Sequence, residues 1–297
     1  MPNLKDYRDR ISSVKSTRKI TSAMKLVAAS KLKKAQDKAE ASQPYSERMD
    51  EMLNRLLSGV KVTDTSPVLL SGTGRDDTHL LVVLTSDRGL CGGFNSSIVR
   101  RTRQKIKALE EADKTVKLIC VGRKGHDLLK STHKDKIIGY FEGPGKEGIT
   151  YKDADAVSTM ILELLAAEEF DICTLMFNKF KSVIAQVPTE QQLVPFSGTA
   201  VNDDANVPAP GAEETYEFEP DEETLLAELL PKNLSVQVFA ALLDSAAGEQ
   251  AARMTAMDNA TRNAGDKIDQ LTLSYNRARQ AYITKELIEI ISGAEAL

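Results

Sequence analysis

The chain has 297 residues, a net charge of −4, 41% hydrophobic residues and 5% aromatic, with no tryptophan; this length fits one large or two modest domains. Cys91, Cys120 and Cys173 stand far apart, and His79, His126 and His133 lack metal-ligand spacing, which argues against a disulfide framework and a zinc site. No secretory h-region is visible and nothing approaches the ~18 apolar residues of a spanning helix, so any membrane contact is expected to be indirect or peripheral.

The first element is a long helix over Leu4 to Leu57, free of glycine and interrupted only by Pro44. A three-four spacing runs through Leu4, Tyr7, Ile11, Val14, Arg18, Thr21, Lys25, Ala28, Leu32, Ala35 and Ala39, the pattern of a coiled-coil seam. Arg18 and Lys25 interrupt it. A second stripe, Ile20, Met24, Val27 and Ala28, overlaps it and predicts a third contact surface at that level. The same helix is crowded with Lys15, Arg18, Lys19, Lys25, Lys31, Lys33, Lys34 and Lys38. Nucleic acid is one use for such a run, but the aromatic residues that stack on bases are missing. An acidic protein partner or plain solvent accounts for the charges equally well.

The middle of the chain reads as an α/β domain. Leu80 to Leu84 is a continuous apolar run, expected as a buried parallel strand. Asn95 or Ser96 is placed to cap a helix carrying Ile98, Val99, Thr102, Ile106 and Leu109. Val116 to Val121 is the next strand, followed by a short helix near Gly125 to Lys130, and Ile137 to Phe141 is a third strand. Asp153 to Ala167 reads as a helix, and Phe170 to Phe177 with Val183 to Val187 as a strand pair. Alternating strands and helices predict a Rossmann-like parallel sheet with an antiparallel edge.

Between the first strand and its helix lies Ser86-Asp87-Arg88-Gly89-Leu90-Cys91-Gly92-Gly93-Phe94-Asn95, where a phosphate loop would sit. It contains neither GxGxxG nor GxxxxGK[ST], so the expectation is a tight turn whose glycines adopt unusual backbone angles. Cys91 has no histidine near it in sequence and is expected to be unreactive, and Asp87, Asp153 and Asp155 are expected in capping or solvated roles. No catalytic, cofactor-binding or metal-binding residue is assigned.

Residues 197–219 are rich in Pro, Gly, Asp and Glu and are expected to be a mobile acidic loop. After Pro231 and Asn233 a second long helix is expected from near Ser235, its N-cap, to about Ser292. Its seam is cleaner: Met254, Met257, Thr261, Ala264, Ile268, Leu271, Tyr275, Ala278 and Tyr282. Two such helices at opposite ends predict an antiparallel coiled coil, each arm roughly 55 residues or ~80 Å at ~1.5 Å per residue. Ile283, Leu287, Ile290 and Ile291 extend an apolar face toward the C-terminus, which calls for a sleeve. The expected organisation is therefore α/β plus long helices: a discontinuous shaft of residues 1–58 and 232–297, and a central Rossmann-like domain over 75–231.

Three stretches, Thr17 to Gln36, Ser86 to Asn95 and Ala252 to Leu297, together resemble their counterparts in the γ-subunit family of F-type ATP synthases, in order and spacing. The resemblance covers essentially the whole chain. It implies a non-catalytic rotor stalk whose terminal helices form a coiled coil inside a ring of three α and three β subunits. It further implies that the α/β domain meets the ε subunit and the membrane c-ring, with the δ subunit and an inhibitor protein as further candidate partners. Rotation driven by the c-ring would force each β site through its nucleotide states, with no cofactor in this chain. By the same resemblance Met24 and Lys25 match the stretch near the β subunit's acidic lever. Arg253, Gln280 and Thr284 match polar positions facing a β catch loop, and Glu286 lies in the same stretch. The implied location is peripheral, on the cytoplasmic face of a bacterial inner membrane. Two other readings stay open on the residues alone. One is a nucleotide-binding α/β enzyme with a coiled-coil oligomerisation stalk; the other is a coiled-coil scaffold or nucleic-acid binder.

Overall fold

A computed structural model describes residues 3–59, 67–143, 148–196 and 222–295. The chain divides into two compact units, residues 1–30 with 253–297 and residues 31–252. They part inside the two long helices rather than at the expected positions 58 and 232. The acidic segment 197–219 lies outside the described residues.

The first unit contains the opening half of helix α1 (Leu4–Gly59) and the closing part of helix α6 (Glu222–Glu295). The two run antiparallel: Arg8 Nε donates to the Tyr275 hydroxyl (3.0 Å), the hydroxyls of Thr21 and Thr261 meet at 2.7 Å, and Lys25 Nζ reaches Asp258 Oδ1 at 2.6 Å. In this unit the expected seam is observed except at Arg18 and Tyr282. Leu4, Tyr7, Ile11, Val14, Thr21, Lys25 and Ala28 are the shielded positions of α1, while Arg18 is exposed despite its place on the stripe. On α6, Met257, Ala264 and Ile268 are buried and Leu271, Tyr275 and Ala278 half-buried; Tyr282 is exposed.

The second unit is built on a five-stranded sheet. Its strands are β1 (Thr78–Leu84), β2 (Thr115–Val121), β3 (Ile137–Phe141), β4 (Ile172–Ser182) and β5 (Ala185–Val194), in the order β3-β2-β1-β4-β5. All neighbours are parallel except β4 and β5, which form an antiparallel hairpin. The remaining helices are α2 (Val68–Ser71), α3 (Phe94–Glu111), α4 (Arg123–His133) and α5 (Tyr151–Ala166).

The period of two along β1 explains the layers. Leu81 and Val83 pack with Ile98, Val99 and Ile106 of α3 and Leu129 of α4. Leu80, Val82 and Leu84 face the opposite way, onto Ala154, Val157 and Ile161 of α5 and Leu234, Val238, Ala241 and Leu242 of α6. Both faces are covered, as a parallel sheet requires. A smaller cluster joins Met49, Leu53 and Leu56 of α1 to Leu70 of α2 and to Leu226 and Leu230 of α6.

Three local expectations need correction. Helix α6 begins at Glu222, not near Ser235, and Pro231 lies inside it. A proline in a helix interior removes one hydrogen bond; here Leu226 and Leu230 are buried on the near side of it, so tertiary packing carries the helix through. The N-cap of α3 is Gly93, and neither Asn95 nor Ser96 caps it. An eighteen-residue window within Thr224–Ser292 does reach the mean hydropathy of a spanning helix, 1.3, and half of it is buried. Such values are met by core helices of folded domains, and the α6 residues Leu234 to Leu243 are part of this core.

The base of the sheet is held by Asp171, just before β4. Its buried carboxylate accepts hydrogen bonds from the Thr73 hydroxyl (2.5 Å) and the amides of Asp77 (3.0 Å) and Thr78 (2.9 Å), and Arg75 Nε lies 3.4 Å away. Burial alone raises its pKa, but these donors outweigh that and hold the carboxyl below its ordinary value.

Candidate functional site

Two places invite chemistry: the glycine turn of the sheet unit and the surface of the helical unit. In the turn the polar groups are consumed locally. Ser86 N donates to Asn95 Oδ1 (3.0 Å), Asn95 Nδ2 donates to Ser86 Oγ (2.7 Å), and Ser86 Oγ donates to the Arg88 carbonyl (2.7 Å). Asn95, expected as a cap, is thus turned inward to tie the start of α3 back to the end of β1. The left-handed backbone angles fall on Leu90 (φ 66°) and Gly92 (φ 57°), not on Gly89 or Gly93.

Asp87 settles what becomes of the neighbouring helix N-terminus. Its Oδ1 accepts the amide of Arg123, the first residue of α4, and the amide of Gly143, each at 2.9 Å. The donors that would hold a phosphate oxygen already hold a carboxylate. Gly122, immediately before α4, has φ 99°, and a Cβ there would stand 2.1 Å from the Thr85 carbonyl oxygen, so side chain and backbone leave no room at this corner. The cavity at the ends of β2 and β3, lined by Val121, Phe141, Glu142, Lys152, Asp153 and Leu242, measures about 130 Å³. Small-molecule sites are clefts of roughly 300–1,000 Å³, larger than this one; an open hollow of about 420 Å³ lies apart from it along α3, lined by Val99, Arg100, Arg103, Lys107 and Leu128.

The thiols offer no nucleophile. Cys91 is buried and receives the Asn95 amide at 3.3 Å. Burial pushes the Cys120 thiol up to about 12 and raises Cys173 further, both away from the reactive thiolate. His79 lies 2.7 Å from Asp76, and His126 stacks on Tyr140 with ring centroids 4.6 Å apart, so neither serves Cys91. Asp153 caps α5, accepting the amide (2.7 Å) and hydroxyl (2.8 Å) of Thr150. Among the described residues no three His, Cys, Asp or Glu side chains are grouped to hold a metal ion.

The helical unit presents a different kind of surface. Ile20, Leu26 and Val27 are exposed on α1, at 60%, 68% and 56%, around the half-buried Met24 and Lys25. The second stripe is therefore solvent-facing apart from Met24, which is half-buried, and Ala28, which is buried in the seam. On α6 every residue from Arg279 to Ser292 is exposed, including Tyr282, Ile283, Leu287, Ile288, Ile290 and Ile291. Counting along both helices from the Lys25–Asp258 contact, Leu4 of α1 comes opposite Arg279, so among the described residues of its unit no helix lies beside this apolar stretch.

The five residues singled out as partner contacts fall into two groups. Met24 and Lys25 lie at the level of Asp258, and Arg253, half-buried, is five residues away on α6, or ~7.5 Å at ~1.5 Å per residue. Gln280 and Thr284 are both exposed, one turn apart on one face of α6, and lie some ~33 Å further along it. Lys25 is not a free cation: its ammonium is bound to Asp258, which Arg262 also approaches at 3.2 Å. Through that hydrogen bond first, with desolvation opposing and Arg262 adding to it, the Asp258 carboxyl is held below its ordinary pKa. Reading the sequence alone passed over Asp258. The signal available was the coincidence of polar residues, Thr21, Lys25 and Thr261, on both apolar stripes.

Comparison with known proteins bears on this surface. The family model described as ATP synthase matches residues 3–297. The chain is 56% identical to the ATP synthase gamma chain of Rhodospirillum rubrum, and 52% identical to that of Pelagibacter ubique; each match covers 100% of both chains. Among solved structures it is similar to a chain of the Tetrahymena thermophila mitochondrial ATP synthase central stalk and c-ring (TM-score 0.60, 28% identity), covering 81% of this chain and 99% of that one. It also shares the fold of a chain in the Euglena gracilis mitochondrial ATP synthase (TM-score 0.68, 18% identity), covering 99% and 94%.

Proposed function

The chain belongs to the ATP synthase gamma chain family, and from that premise we propose how its two units serve a central stalk. It is a stalk subunit and not a catalytic one. The helical unit is the part turned inside a ring of three α and three β subunits, and the sheet unit is the part that meets the ε subunit and the c-ring. Rotation imposed from the c-ring would pass through the antiparallel helices and bring each β site in turn through its nucleotide-binding states. Differential contact between states is what such coupling requires.

The observation that carries this reading is the exposed apolar end of α6, Tyr282 to Ile291, which extends past the level of Leu4, where α1 begins. A patch of that kind on a folded protein marks a surface that a partner covers. The ring supplies such a cover, apolar and blind to the angle of rotation. Met24, Lys25, Arg253, Gln280 and Thr284 are proposed as the polar contacts to β, in two levels along the shaft, giving the angle-dependent part of the interaction. The exposed Lys15, Arg18 and Lys19 add attraction to acidic loops that falls with salt. The chain is a peripheral part of a membrane complex; we place it on the cytoplasmic face of a bacterial inner membrane.

The test is ATP hydrolysis by purified α and β subunits with and without this chain, after assembly is checked by size exclusion. One copy joining a three-plus-three ring and changing its hydrolysis, with no turnover by the chain alone, is the expected result. Failure to associate, or hydrolysis by the isolated chain, overturns the reading.

A further inference from the structure

The seam between α1 and α6 in the helical unit is poor in shape information. Several of its positions are small, among them Ala28, Ala264 and Ala278, and small residues at heptad spacing pack almost equally well after a slip of seven. A shaft that carries torque needs its two helices to keep one stagger. Besides the Arg8–Tyr275 contact toward the start of α1, the observed stagger is distinguished by a polar layer. The hydroxyls of Thr21 and Thr261 meet at 2.7 Å, and one turn along, Lys25 Nζ meets Asp258 Oδ1 at 2.6 Å. The two hydroxyls divide two protons among three contacts: one of them donates to its own helix (Thr261 Oγ1 to the Met257 carbonyl, 2.8 Å, or Thr21 Oγ1 to the Arg18 carbonyl, 3.1 Å) and accepts from the other across the seam, while Arg262 flanks Asp258 at 3.2 Å.

We propose that Asp258 is a positioning residue that holds Lys25, and that the layer Thr21, Lys25, Asp258 and Thr261 fixes the register of the antiparallel pair. A slip of one heptad in either direction breaks it. In one direction Lys25 comes opposite Gly265 and Thr21 opposite Ile268; in the other Asp258 gains Arg18, but Thr21 comes opposite Met254. Each slip parts Lys25 from Asp258 and sets a seam hydroxyl against an apolar side chain, so that the hydroxyl keeps its own-helix carbonyl but loses its hydrogen bond across the seam. A single polar position is known to specify register in coiled coils at some expense of stability. This assignment also refines the role of Lys25: its charge faces the partner helix, so a β contact at this level would act on a cation that Asp258 already orients.

The inference rests on the stalk reading for its purpose but not for its test, which reads a distance rather than turnover. Spin labels are placed on cysteines introduced at Ser12 and Arg277, both exposed and outside the layer. The interhelix distance is measured by pulsed electron resonance in the full chain, alone and reassembled with α and β subunits. The parent gives one distance. Asp258→Ala, and separately Lys25→Ala, gives a second population in which one helix has moved ~10 Å along the other, seven residues at ~1.5 Å each. The charge swap Lys25→Asp with Asp258→Lys returns the single parent distance, which a general loosening of the helices would not do. One unchanged distance in both single variants, or a swap as heterogeneous as they are, overturns the proposal.

Discussion

In the sheet unit, Leu80, Leu81, Val82 and Val83 lose all contact with solvent; in the helical unit, Ile283, Leu287 and Ile290 are 53%, 55% and 67% exposed. The two stretches are similarly apolar, yet only the first is satisfied by its own chain. Covering helices α3, α4, α5 and α6 bury the sheet from both faces, whereas the end of α6 is exposed from Arg279 to Ser292. Apolar residues in the one region serve folding, and in the other they serve assembly. The same contrast holds for polar groups. Asp171 and Asp87 are engaged with backbone amides and organise the sheet, while Gln280 and Thr284 are exposed.

The sharpest way to break this contrast is to shorten one side chain in each region. Leu81→Ala should destabilise the chain by about 2–5 kcal/mol in urea unfolding followed by circular dichroism, the usual cost of a cavity in a packed core. Leu287→Ala should leave that unfolding curve within ~0.5 kcal/mol of the parent and instead weaken assembly with the α and β subunits, as titrated by size exclusion. Equal stability losses at both positions would erase the distinction.

Next in size is Asp171. Its folded pKa is depressed, so its contribution is complete above the unfolded value of about 3.9 and is lost as pH falls through the folded pKa. Asp171→Asn should cost about 1.5–3 kcal/mol at pH 7, the range for hydrogen bonds to a charged group. The variant should also lose the part of the acid-denaturation limb below pH ~3.9 that this carboxyl supplies.

The smallest effect is expected at Asp244 on α6, whose carboxyl is raised by burial, with Lys179 acting the other way. Here the sign reverses. The ionised form is disfavoured in the folded chain, so stability falls as pH rises from the unfolded value through the folded one. Asp244→Asn should give a small gain at pH 7 and none below pH ~3.9, read by parallel thermal melts at the two pH values.

Most of the sheet was legible because period-two burial and strand-helix alternation are properties of short stretches. Leu80–Leu84, the α3 face of Ile98, Thr102 and Ile106, and the seam of α1 all follow from spacing alone. What escaped depended on distant partners. Pro231 reads locally as a boundary, and only the burial of Leu226 and Leu230 against Met49, Leu53 and Leu56, some 170–180 residues earlier in the chain, shows why the helix crosses it. Asn95 has every local mark of a cap, but Ser86 claims its side chain. On the helical unit Lys25 was visible as a flaw in an apolar stripe; its meaning needed Asp258, which lies off the other stripe. The stripes predict which faces meet, and the departures from them predict where the faces are pinned.

The three thiols carry a practical consequence. Cys91, Cys120 and Cys173 are all buried in the sheet unit, and burial keeps Cys120 and Cys173 far from their nucleophilic form. Maleimides and methanethiosulfonates at neutral pH need an accessible thiolate. A cysteine engineered on either long helix would then outcompete the native ones, so fluorophores and tethers can be attached to the folded parent without first stripping it of its own sulfur.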